Sequence, residues 1–146
     1  MPDTAMSPAA PSAGEVIELD SERFGQIIPD HRFAIIDFWA PWCAPCRAFA
    51  PVFTEAAKRH PDVLFAKVNT EDEQALAGHF NIRSIPTLMI FRDNVVIFSQ
   101  AGALSAGSLE QVLTAARELD MDAVRREIEA GESEGGAPGA TGQADG

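Results

Sequence analysis

The sequence predicts an α/β fold in which helices cover both faces of one mixed sheet. Three observations predict it. Strand-like and helix-like runs alternate in the order β-α-β-α-β-α-β-β-α, the pattern of a sheet with crossover helices. Phe33 to Ala40 is apolar everywhere except Asp37, as expected of a strand covered on both sides. Late in the chain, Asp93-Asn94 alone separates two strand-like runs, too short a link for a crossover, so that pair is antiparallel.

Taken in order, residues 1–14 are rich in Pro, Ala and Ser and read as a flexible arm. Val16-Ile-Glu-Leu19 is a short strand. Asp20 or Ser21 can then N-cap a helix to about Ile28, stopped before Pro29. After the strand Phe33–Ala40, Ala44 to about His60 is a helix with Phe49, Val52, Phe53 and Ala56 at helical spacing. Pro51 inside it removes an N–H and should kink it. Val63 to Asn69 is the next buried strand. Thr70-Glu-Asp-Glu73 has the form of a capping box opening a helix to about Phe80. Strands Thr87–Arg92 and Val95–Ala101 follow. Ser108-Leu-Glu-Gln111 is a second capping-box pattern, for a helix to about Leu119. Residues 15–119 thus form one domain. Beyond it, Asp120 or Asp122 can cap an appended helix over 120–130, with Val124 and Ile128 on one face. Residues 131–146 contain six glycines and no large apolar side chain, and read as a disordered acidic tail.

Composition narrows the function classes. A chain of 146 residues, 46% hydrophobic, suits one domain with a proper core. No apolar run approaches the ~20 residues a membrane helix needs. The net charge of −11 argues against nucleic acid or an anionic membrane as partner. Much of the excess lies at the end, where 120–146 carries seven acidic and two basic residues. The N-terminus lacks the basic patch and apolar stretch of a secretory signal, so the expected location is cytoplasmic.

The chemistry is concentrated in Trp39-Ala-Pro-Trp-Cys-Ala-Pro-Cys46, which holds the only two cysteines. A bridge across two intervening residues closes too small a loop to be chiefly structural, so the pair reads as chemical. Cys43 lies where strand gives way to helix. There, free N–H groups and the helix dipole stabilise a thiolate. Cys46, one turn on, is placed to attack a mixed disulfide formed on Cys43. Pro45 is tolerated in a first turn, where N–H groups have no intrahelical partner. A zinc site would need about four ligands, and His31, His60 and His79 are scattered.

From about Val16 to Leu119 the chain resembles the thioredoxin family. The matching residues are Asp37-Phe-Trp-Ala-Pro-Trp-Cys43, Pro51, Lys67, Ile82-Arg83, Ile85-Pro86-Thr87 and Gly102-Ala-Leu-Ser105. The resemblance implies the thioredoxin fold, with parallel N-terminal strands and an antiparallel last pair. It also implies protein-disulfide reduction, with no bound cofactor and with electrons from NADPH through thioredoxin reductase. The implied partners are that reductase and disulfide-containing client proteins, and a monomer is the default for the fold. Cys43 attacks and Cys46 resolves. Asp37, an acid within an apolar strand whose burial would raise its pKa, corresponds to the family's aspartate beneath the resolving cysteine. Lys67 corresponds to the lysine that modulates it. Ile85-Pro86 matches the cis-proline segment, and Trp42, Ile85, Ala101 and Gly102 match the apolar rim that seats substrate. Trp39 is expected in the core, with Phe33, Phe38, Phe49, Phe53, Phe65, Phe91 and Phe98.

The sequence departs from the family pattern in three places. Ala44-Pro45 replaces the usual Gly-Pro, Ser84 stands where glycine is common, and residues 1–14 hold no cysteines for an N-terminal zinc module. Two other functions fit the same residues: a disulfide oxidase or isomerase, and a client-binding module whose cysteines are incidental.

Overall fold

A computed structural model describes residues 14–133. Its elements are β1 (Val16–Glu18), α1 (Ser21–Ile27), a 3-10 turn (Ile28–Asp30), β2 (Phe33–Trp39), α2 (Ala44–Arg59), β3 (Leu64–Asn69), α3 (Gln74–His79), β4 (Thr87–Arg92), β5 (Val95–Ala101), α4 (Ala106–Arg117) and α5 (Met121–Ser133). The five strands form one sheet in the order β1-β3-β2-β4-β5. β3 pairs in parallel with β1 and β2, and β4 is antiparallel to both β2 and β5. The sheet is mixed and the last pair antiparallel, as the sequence predicts. Asp93 and Asn94 both take positive φ, at 52° and 66°, which a two-residue hairpin turn requires and Asn and Asp tolerate.

Alternation along β2 builds two cores. Phe33 and Ile35 face α2 and α4, meeting Phe49, Phe53, Leu109 and Leu113. Ala34, Ile36 and Phe38 face the other way, toward Phe24 and Ile27 of α1 and the Leu76 and Phe80 side chains around α3. Burying a side chain of this size contributes about 1.5–3 kcal/mol. A six-residue helix such as α3 has no stability of its own, so this contact decides its place. At the far end of α2, Arg59 and His60 both reach Glu110 of α4, at 2.9 and 2.8 Å. These partly exposed pairs contribute at most about 1 kcal/mol each, so packing dominates.

Neither capping-box pattern works as the sequence suggests. Thr70 Oγ1 donates to the Trp39 carbonyl (3.1 Å), and Glu73 accepts from the N–H and hydroxyl of Ser21 (3.1 and 3.2 Å). Partners distant in sequence have claimed both side chains, and α3 starts only after Glu73, which makes no side-chain cap. In α4 the cap is Ser105, whose Oγ accepts from the Ser108 N–H at 3.1 Å. The helix therefore begins at Ala106, earlier than expected. Ser105→Ala should lower stability by about 1 kcal/mol in urea unfolding, with no change in disulfide exchange. Helix α2 runs unbroken through Pro51.

Helix α5 is separate from α4. Asp120 Oδ1 accepts from the N–H groups of Asp122 and Ala123 (3.0 and 3.2 Å), and Met121 is buried. Arg125 pairs with Asp93 in the hairpin turn at 3.1 Å, and this bond holds the Asp93 carboxyl below its ordinary range. The helix continues through Gly131 to Ser133, past the point where the glycines begin. One glycine near a helix end costs only about 1 kcal/mol. The readings of 1–14 as a flexible arm and of 131–146 as a disordered tail fall outside the described residues, apart from Gly14 and from residues 131–133, the latter helical rather than disordered.

Candidate active site

The site lies at the end of β2, where the chain turns into α2. Cys43 is the N-cap of α2, and its Sγ accepts from the Cys46 N–H at 3.2 Å. Both cysteines are almost fully buried and joined as a disulfide, with Cα atoms 5.2 Å apart. Once the bridge is reduced, that N–H and the helix dipole act on the Cys43 sulfur. Both favour its anion. Pro45 sits in the first turn without loss of a helical bond.

The loop before β4 closes over the sulfurs. The Ile85–Pro86 peptide is cis, and the Ile85 carbonyl oxygen lies 3.9 Å from Cys43 Sγ. Ile85 and Trp39 pack against Ala40, Cys43 and Cys46. Gly102, at φ 104°, donates its N–H to the Pro86 carbonyl at 2.8 Å, which sets Ala101 and Gly102 beside the proline. Trp42 is 65% exposed, and its indole N–H donates to Glu71 at 2.9 Å. Arg47 of α2 donates to the Pro41 carbonyl at 2.8 Å and holds the turn before Cys43. Glu71 and Arg47 carry no local sequence signal for these contacts.

Asp37 lies six residues before Cys43, with 3% exposure and with Oδ1 unpartnered among the described residues. Burial drives its carboxyl from 3.8 up to about 7; Lys67 opposes the shift and Glu18 adds to it. Asp37 and Lys67 are paired in register across β2 and β3. Together they line a pocket of about 370 Å³ shared with Ala50, Phe53 and Thr54 of α2. Ala50 is one turn below Cys46, on the same helix face. The buried acid therefore opens toward the side of α2 that carries Cys46.

Two sulfurs that close into a disulfide at the start of a helix can exchange two electrons with another disulfide. Fold and site together define a dithiol–disulfide oxidoreductase. The thioredoxin family model matches residues 15–115, and the chain belongs to the thioredoxin family, whose members are disulfide oxidoreductases. Among relatives, a Streptomyces coelicolor protein named "Putative thioredoxin 2" is 50% identical over 112 residues, covering 77% of this chain and 84% of that protein. A thioredoxin mutant from Halobacterium salinarum superposes with a TM-score of 0.69 at 27% identity, covering 76% of this chain and 98% of its own. A chain from the crystal structure of a complex of ferredoxin:thioredoxin reductase and thioredoxin f2 gives 0.69 at 30% identity, covering 74% of this chain and 100% of its own.

Proposed function

We propose that the protein is a general protein-disulfide reductase, recharged by a thioredoxin reductase that passes on electrons from NADPH. The observation that carries this reading is the Cys43–Cys46 couple at the head of α2, beside the exposed Trp42 and above a buried acid. Cys43 thiolate attacks one sulfur of a client disulfide, forms a mixed disulfide and expels the client's first thiolate. Cys46 then loses its proton to the Asp37 carboxylate and attacks Cys43 Sγ. That closes the Cys43–Cys46 bond and releases the client's second thiolate, so two electrons have moved from protein to client. Lys67 tunes the charge of Asp37. A base titrating near neutral pH suits this proton transfer, and burial gives Asp37 that property.

The apolar rim of Trp42, Ile85, Pro86, Ala101 and Gly102 is the proposed seat for clients and for the reductase. Exposed aromatic surface beside reactive sulfur is what a binding face offers. That a fold relative comes from a complex of ferredoxin:thioredoxin reductase and thioredoxin f2 supports docking of a reductase on such a rim. A cytoplasmic location goes with the reading, because a reductase needs a compartment that keeps its thiols reduced.

The test is the reduction potential of the couple, by equilibration with glutathione. A value near about −270 mV supports the reductase, whereas a value near about −120 to −180 mV marks an oxidase or isomerase instead. NADPH consumption in the presence of a bacterial thioredoxin reductase and an oxidised client then tests recharging.

A further inference from the structure

Sheet register places three charged residues side by side. Glu18 of β1 pairs with Lys67 of β3, and Lys67 pairs with Asp37 of β2. In-register neighbours point to the same face, here the face covered by α2, and all three stand near the strand ends from which α2 departs. A fourth side chain joins the row. Trp39, two residues after Asp37 and so on the same face, donates its indole N–H to Glu18 Oε2 at 3.0 Å. The Lys67 ammonium lies over the Trp39 ring, 4.3 Å from its centre. Trp39 also packs against the small cluster formed by Ala40 and the two cysteines. Glu18 is thus held in place by the residue that supports the active-site turn, with Lys67 between it and the buried acid.

We infer that Glu18 is a positioning residue for the exchange reaction: held by Trp39, its carboxylate adds to the effect of burial and raises the pH at which Asp37 takes up a proton. The inference rests on the role proposed above for Asp37. The charges that face Asp37 are few. Lys67 lies one strand away and Glu18 two; Glu15 and Lys58 line the same pocket, and the cysteine pair stands on α2. Of these, Glu18 is the carboxylate fixed by a side-chain hydrogen bond. Its negative charge disfavours the Asp37 anion, and Lys67 favours it. Lys67, one strand away, acts more strongly than Glu18, two strands away. Glu18 agrees in sign with the forces that raise Asp37. Because Glu18 is exposed, its influence should fade with salt.

Glu18→Gln removes the charge and keeps an acceptor for Trp39, so Trp39 fluorescence should not change. In the oxidised protein no thiol titrates, and the Asp37 side-chain carbon can be followed by NMR. At low ionic strength the variant should titrate lower than wild type by about 0.5 to 1 pH unit, the range for like charges two strands apart at intermediate dielectric. The acid limb of disulfide-reductase activity should move with it. Glu18→Asp should restore most of the wild-type midpoint, and Lys67→Met should move it the opposite way. A Glu18→Gln titration that superimposes on wild type overturns the inference. If the NMR midpoint moves but neither Glu18→Gln nor Asp37→Asn alters the acid limb, the failure lies in the proposed proton transfer, and Glu18 has no part in the reaction.

Discussion

Cys43→Ser abolishes protein-disulfide reduction, with a loss of at least about a thousandfold by analogy with removal of other catalytic nucleophiles. The expectation follows from where the sulfur sits. Its anion is stabilised by the Cys46 N–H at 3.2 Å and by the N-terminus of a 16-residue helix. A serine hydroxyl in the same place stays protonated, because its pKa lies far above any working pH. Unfolding cannot account for such a loss. Forfeiting a disulfide that closes so small a loop costs only about 2 kcal/mol by the chain-entropy relation, against a typical stability of about 5–15 kcal/mol. Cys46→Ser should behave differently. Cys43 still attacks but nothing resolves, so a mixed disulfide with the client accumulates and appears by mass spectrometry as a covalent adduct. A client-binding module with incidental cysteines predicts retained function in Cys43→Ser and no adduct in Cys46→Ser, and either result would end the reductase reading.

The second large effect concerns stability. Asp37 titrates near 7 when folded and near 3.8 when unfolded. Below the unfolded value the carboxyl is protonated in both states, and the fold is at its most stable in this respect. As pH rises toward about 7, the unfolded chain releases the proton first and stability falls. Above that value the loss is complete, on the order of 4 kcal/mol. Asp37→Asn, which never ionises, should therefore be more stable than wild type by that amount at pH 9 and nearly equal to it at pH 4. Urea unfolding of the oxidised proteins measures the difference. Comparing the two proteins cancels the other carboxylates. A difference that does not vary with pH would show that Asp37 is not ionising in a buried site. Together the two variants separate function from stability, since Asp37→Asn should fold better while resolving mixed disulfides more slowly.

Much of this was legible in the sequence because the signals were local. The apolar run Phe33–Trp39 could only be a central strand, and Asp93-Asn94 could only be a tight turn. The cysteine spacing located the chemistry. The misplaced start of α3 has a physical cause: Thr70 and Glu73 have capping chemistry, yet distant Trp39 and Ser21 supply their partners. In α4 the pattern Ser108-Leu-Glu-Gln111 competes with Ser105 for the cap, and Ser105 takes it, with Gly107 in the first turn of the helix. Glu18 was invisible for a deeper reason. In the sequence it is one acid at the end of a three-residue strand, and only the parallel pairing of β1, β3 and β2 sets it in line with Asp37.

The Cα atoms of Cys43 and Cys46 stand 5.2 Å apart on one helical turn, and this bears on how long a client stays attached. The attacker in the second step is part of the same rigid element as its target, so its effective concentration far exceeds that of any free thiol. Well-oriented intramolecular reactions reach about 10⁵ M and above, whereas dissolved thiols compete at millimolar levels or below. The covalent complex is thus a brief intermediate whose lifetime is set within the protein itself. Clients are let go at much the same rate whatever small thiols surround them.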